Sequence, residues 1–261
     1  MEGTAAWMED EVYDGVNDNY QYLPGSPLAR PHVPLDFGVY GSWIFFRFMA
    51  EYFGTATTDR PAVVRQIWER ADAAPGAPDD YSLQAVARVS SAHRVPFRDL
   101  FADFGWTGPF AAGAYEEGRN YPKAPMTSSI TLTASTPGTG ARAVTLHHLA
   151  NRHIALRPGR SLPAQRRLQV SLNLPDRARG SEATVTVHRR DGVVRPFAVT
   201  LNAGGNGTTT VAFSRTSVSR VVLTLTNAST RMRCWQGTPL SCSGQPLDDG
   251  MRFGYSARAI R

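Results

Sequence analysis

EATVTVHRRDGVVRPFAVTL, residues 182–201, decides how this chain is read. Its first half alternates Ala183, Val185 and Val187 with Thr184, Thr186 and His188. That is the period of two that sends neighbouring side chains to opposite faces of a strand. Asp191-Gly192 follows, a dipeptide suited to the positive backbone angles of a two-residue hairpin turn. Val193 to Leu201 then resumes an extended pattern, so the stretch predicts a β-hairpin.

The same period runs outward from the hairpin. SITLTA (129–134), AVTLHHL (143–149), HIALRP (153–158) and LQVSLNL (168–174) precede it, and TTTVAF (208–213), RVVLTLTN (220–227) and RFGYSARAI (252–260) follow it. Short strands separated by Gly- and Pro-rich turns predict an antiparallel β-sandwich over residues 127–261.

Before residue 110 the period changes. Residues 1–13 read as a short helix that ends in an acidic, Asn-rich loop from Asp14 to Asn19. A proline-rich connector, YLPGSPLARPHVPLD (22–36), cannot hold regular structure. VYGSWIFFRFMAEYFG (39–54) is apolar nearly all round, interrupted by Ser42, Arg47 and Glu51, and predicts a buried helix stopped by Gly54. A further helix opens near Pro61 with Val64, Ile67, Trp68 and Ala71 on one face. Residues 82–92 give a weaker one. Pro96 opens a last helix striped with Phe97, Leu100, Phe101 and Phe104 and closed by Gly105. The expected fold class is therefore α+β: a helical part over 1–110, a Gly-, Pro- and Ala-rich linker over 111–126, and the sandwich.

Charge divides along the same line. Residues 1–120 carry 17 acids against 9 arginines, a net −8, and residues 121–261 carry 5 acids against 18 arginines and Lys123, a net +14. These arginines are scattered along alternating strands without the dense basic run of a phosphate track, so no nucleic-acid partner is expected. The 42% apolar content supports a real core. The most apolar run, WIFFRFM (43–49), is far short of the roughly 20 residues of a membrane span and contains Arg47. No basic segment leading into an apolar one is present, so no signal peptide is read in this chain. Cys234 and Cys242 flank a Gly-Pro-containing turn in RCWQGTPLSCSG, which suits a local disulfide in an oxidising, extracellular compartment.

The chain opens Glu2-Gly3-Thr4-Ala5-Ala6-Trp7-Met8-Glu9. This resembles the Glu-Gly-Phe-Ala-x-x-x-Glu segment of the gluzincin metallopeptidases, in which the first Glu is the third zinc ligand. Tyr40-Gly41-Ser42-Trp43, ahead of a buried helix, resembles the gluzincin segment whose Tyr hydroxyl stabilises the tetrahedral intermediate. VVRQIWERAD (63–72) and FRDLFADFG (97–105) extend the likeness toward bacterial secreted zinc metalloproteases with a trailing β-domain. The helical part would then be the C-terminal half of a gluzincin-like catalytic domain. The resemblance implies zinc as cofactor, a protein or peptide substrate, secretion, Glu2 as a metal ligand and Tyr40 as a catalytic oxyanion donor.

The departure from that pattern is large. Catalytic zinc takes three protein ligands and one open position, and gluzincins supply two of the ligands from His-Glu-x-x-His. His32, His93, His147, His148, His153 and His188 form no such motif. The expectation is a chain truncated upstream of Met1, with the complete protein hydrolysing peptides and this portion inactive. Plainer readings stand beside it. Glu2 is also a first-turn acid that favours the helix dipole, and Tyr40 is also a candidate core aromatic. Asp10, Glu11, Asp14 and Asp18 lack the EF-hand glycine and terminal Glu and read as a solvated acidic face. His147 and His148, adjacent in a strand, point to opposite faces and so do not share a metal. The rival functional reading is a non-catalytic extracellular binding or adhesion protein using the sandwich. Trp235 is the one tryptophan there, so no sugar-stacking platform is evident.

Overall fold

A computed structural model describes residues 1–54, 60–80, 82–233 and 244–261. Helices α1 (Glu2–Val12), α2 (Trp43–Phe53), α3 (Arg60–Arg70), α4 (Leu83–Ala92), α5 (Phe97–Thr107) and the one-turn α6 (Ala111–Ala114) come first. The strands are β1 (Ser128–Leu132), β2 (Arg142–Leu146), β3 (Ala150–Pro158), β4 (Arg167–Asn173), β5 (Ser181–Arg189) and β6 (Val194–Ala198). Then come β7 (Asn206–Ala212), β8 (Val218–Asn227), β9 (Met232–Arg233), β10 (Gln245–Pro246) and β11 (Met251–Ile260). The class is α+β, and every segment with period two in the sequence forms a strand.

The strands make two facing sheets, β1-β3-β8-β5-β6 and β2-β11-β4-β7, with β9 and β10 as a separate ribbon. Val185, Leu223 and Ile154 of the first sheet share a core with Val170, Leu168 and Phe253 of the second. Burying each such side chain contributes roughly 1.5–3 kcal/mol. The decisive hairpin pairs His188 with Val194 and Val187 with Arg195. Gly192 takes a φ of 89° in its turn, and the Val193 amide donates to Asp191 Oδ1 at 3.1 Å. Pro196, which cannot donate to a ladder, sits in the edge strand β6. One pairing departs from the antiparallel expectation: β1 runs parallel to β3, with Ser128 beside Ile154. The chain leaves β1 for β2 in the opposite sheet and returns, and that crossover lets β3 run in the same direction as β1.

Alternation in β5 suggests one wet face, yet both of its faces are buried. Thr184, Thr186 and His188 lie beneath the helical layer, and His188 meets the Phe110 ring edge-on at 6.2 Å. On β3 and β8, Asn151 and Thr226 are likewise covered, and Thr226 Oγ1 donates to Asn151 Oδ1 at 2.6 Å. Gly105 shows how close the layers are, since a Cβ there would fall 2.3 Å from Asn151 Oδ1. Gly105 therefore does not stop α5, which continues to Thr107. The glycine instead admits the sheet.

The helices hold a second apolar cluster around Trp43, Phe45, Phe101 and Phe104, joined by Trp7 of α1. Phe45 meets Phe104 edge-on at 5.2 Å. Val64 and Ile67 of α3 are buried as expected, but Trp68 is exposed. The segment 111–126 also packs inward. Tyr115 and Tyr121 belong to the helical cluster, and the Tyr115 hydroxyl lies 2.9 Å from Thr107 Oγ1.

Candidate functional site

Helix α1 buries Gly3, Ala6, Trp7 and Asp10, an i, i+3, i+4, i+7 stripe against the helical core. It carries a second apolar stripe, Met1, Ala5, Met8 and Val12, which stays exposed. Glu2 stands between them on the first turn with a half-exposed side chain. Its carboxyl is held below the usual range by a backbone hydrogen bond and then by the Met1 amino group 3.6 Å away. Gly3 brings this turn hard against the next element: a Cβ there would sit 2.4 Å from Ser42 Oγ.

That next element is the single 3₁₀ turn Val39–Ser42. Val39 holds a φ of 42°, a conformation rare for a β-branched residue. Gly41 crosses the connector so closely that a Cβ would meet the Gly25 carbonyl carbon and the Ser26 amide nitrogen at 2.9 Å. Tyr40 is thereby turned outward. It is 44% exposed, so it is no core aromatic, and its ring stacks on Tyr22 at 4.8 Å with 17° between planes.

Glu2 and Tyr40 line one open groove of about 760 Å³, with Met8 of α1 and Val64, Arg65 and Trp68 of α3. Apart from Glu2 and Arg65 the walls are largely apolar. Trp68 belongs to this groove and not to the core, and its misreading in the sequence has a simple cause: a groove wall and a core stripe share one helical period. Among the described residues no cluster of three or more His, Cys, Asp or Glu side chains is placed to hold a metal ion. The groove offers one carboxylate where catalytic zinc requires three protein ligands. The residues present do not by themselves fit zinc.

The histidines serve other roles. His148 is fully buried, with Nδ1 2.6 Å from Asp249 Oδ1 and Nε2 3.0 Å from Asp36 Oδ2. Burial is the largest influence and lowers its pKa, but the two carboxylates together outweigh it and the net shift is upward. His153 lies 3.0 Å from Thr224 Oγ1 and is pushed down to about 3 by burial and then by Arg152. His188 is pushed down to about 4 by burial and then by Arg220. His147 is exposed just after β2 and His148 lies in the turn that follows, so the strand alternation expected of the pair does not apply: His147 Nδ1 lies 3.7 Å from Asp249 Oδ1, the oxygen that His148 also reaches.

The acidic run after Glu9 is only partly solvated. Asp14 and Asp18 are exposed, but Asp10 and Glu11 turn inward to Arg47, whose Nη1 donates to Asp10 Oδ2 at 3.2 Å and Glu11 Oε1 at 3.1 Å. The same guanidinium donates to Glu51 Oε1 at 2.6 Å and Glu116 Oε2 at 3.2 Å. Burial opposes its charge, and the carboxylates, Glu51 first, more than restore it. A lone arginine inside WIFFRFM was the signal for this hub, because a buried cation demands partners. Cys234 and Cys242, the expected disulfide, lie outside the described residues.

No protein-family model matches the chain, and no curated protein matches it. Among solved structures it is similar to the pre-peptidase C-terminal domain of a collagenase from Bacillus anthracis. That likeness has 9% identity, covers 52% of this chain and 97% of that one, and has a TM-score of 0.28. A family GH115 4-O-methyl-α-glucuronidase with specificity for decorated arabinogalactans matches at 8% identity, over 86% of this chain and 30% of that one, with a TM-score of 0.25. A structure of infectious bursal disease virus, Gx strain, matches at 14% identity, over 46% and 27%, with a TM-score of 0.20. The first is a weak likeness to a domain that accompanies a peptidase. At these scores none of the three bears on function.

Proposed function

We propose that this chain is the C-terminal portion of a secreted zinc-dependent peptidase, in which it supplies one metal ligand and one oxyanion donor and does not catalyse hydrolysis alone. The observation that carries this reading is the shared groove. Glu2 and Tyr40, the two residues singled out by the resemblance to gluzincins, come from elements separated by a long connector and still face one cavity. Gly3 and Gly41 make the close approaches that aim them there. The exposed stripe of Met1, Ala5 and Met8 beside Trp68 gives an apolar seat for a further helix, and the missing ligands would arrive on it. Tyr40, exposed and stacked on Tyr22, would donate a hydrogen bond from its hydroxyl to an oxygen that gains charge in the groove.

The test is expression of the chain with and without the in-frame sequence encoded upstream of Met1. The chain alone should contain no stoichiometric zinc and leave casein uncut. The longer protein should do both, Glu2→Ala should remove its zinc, and Tyr40→Phe should keep the zinc and slow turnover. Zinc content in the longer protein that ignores Glu2→Ala would overturn the assignment.

A further inference from the structure

The two sheets differ in what lies over their outer faces. The five-stranded sheet is roofed by helices, whereas the outer face of the four-stranded sheet β2-β11-β4-β7 is open. Its registers place Arg258 beside Gln169 and Thr210, and Ser256 beside Ser171 and Thr208, in continuous polar rows. Arg252 and Arg167 extend the face toward its two ends, and both are exposed. None of the four strands contains an Asp or Glu. Four of the five carboxylates of this basic half are engaged elsewhere: Asp248 with Arg179 and Arg231, Glu182 with Arg177, Asp191 with Arg189, and Asp249 with His148. Arg166, Arg252 and Arg258 have no ion-pair partner among the described residues.

At one end the face runs into a cleft of about 380 Å³, lined by Arg166, Arg258 and Arg261 over Pro137, Leu162 and Pro163. Arg258 belongs to both. A forked guanidinium over an apolar floor is matched to a carboxylate, which it holds with two parallel hydrogen bonds. The Ser, Thr and Gln rows are matched to ring hydroxyls.

We propose that this face and its cleft bind an acidic polysaccharide of the polyuronate class, with sugar carboxylates on Arg252, Arg258 and Arg166 and sugar hydroxyls on the polar rows. One feature favours a polyuronate over a nucleic acid. Phe253 and Tyr255, the aromatic residues of the four strands, both point into the core, so no base-stacking platform is presented.

The experiment measures binding of the full chain to polygalacturonate by calorimetry at low salt, with neutral dextran and single-stranded DNA as comparison polymers. Polygalacturonate should bind and dextran should not. Arg166→Gln with Arg252→Gln and Arg258→Gln should weaken binding about tenfold or more and flatten its salt dependence. Removing three arginines elsewhere, by Arg119→Gln, Arg195→Gln and Arg215→Gln, should change it about twofold or less. Absence of binding, equal loss in the two triple variants, equal binding of dextran, or tighter binding of single-stranded DNA through the same arginines would each overturn the proposal.

Discussion

Arg47 and Asp10 meet at 3.2 Å across 37 residues of chain, with 2% and 0% of their side chains exposed. The same guanidinium holds Glu11, Glu51 and Glu116, so one cation joins α1, α2 and the segment after α6. Removing one partner of a buried ion pair costs more than the pair contributed, because the other charges stay buried without compensation. Arg47→Met should therefore lose about 3–5 kcal/mol of stability, measured by urea unfolding. A loss under about 1 kcal/mol would show that the carboxylates find other partners or take up protons.

Asp10 gives the hub a pH signature. Its carboxyl is pushed up to about 6 by burial and then by Glu117, with Arg47 pulling the other way, against 3.8 in the unfolded chain. Between those values the folded protein holds the extra proton, so this contribution is complete below the unfolded value and is lost as pH rises through the folded one. Asp10→Asn keeps an acceptor for Arg47 and removes the titration. The gap in urea midpoint between variant and parent should grow in the variant's favour from about pH 4 to about pH 7. A gap that stays constant over that range would contradict the raised value.

The strands were legible in the sequence because their period of two is local. What covers them was not. Thr184, Thr186 and His188 alternate as a water-facing row would, and local pattern does not distinguish water from a helix lying on top. Arg47 announced a need for partners, and Glu51 stands one helical turn away, but Glu11, Asp10 and Glu116 lie 36, 37 and 69 residues away, beyond any periodicity. Glu2 and Tyr40 were found by resemblance alone. Their common groove depends on Gly3 and Gly41, whose close contacts no spacing rule predicts, and Trp68 joined it from a helix face that reads as core.

His148 joins the connector before α2 to the turn before β11, through Asp36 and Asp249. Its pKa is raised above the ordinary 6.5 because both carboxylates favour the imidazolium more than burial opposes it. The stability it contributes is complete below the unfolded value and is lost as pH rises through the higher folded one. The parent should therefore lose stability relative to His148→Gln over the window that opens at the ordinary value of 6.5 and runs upward in pH. If the two proteins keep a constant difference over that window, the imidazolium does not hold the junction.

Gly3→Ala and Gly41→Ala probe the two close approaches of the groove, and they should not be equal. At Gly3 the new methyl meets Ser42 Oγ, a side-chain atom that can rotate away once it gives up its hydrogen bond to the Val39 carbonyl. At Gly41 the methyl meets Gly25 and Ser26 backbone atoms at 2.9 Å, and backbone has no rotamer to change. Overpacking that only backbone movement relieves costs about 1–3 kcal/mol, so Gly41→Ala should lie near the top of that range and Gly3→Ala near the bottom. The relief also moves the turn that carries Tyr40. Gly41→Ala should therefore break the Tyr40–Tyr22 stack, read as a loss of shift dispersion for the two rings in NMR spectra, while Gly3→Ala keeps it. Equal destabilisation by the two variants, with the ring signals unmoved, would mean that the turn is not held against the connector as the 2.9 Å contacts require.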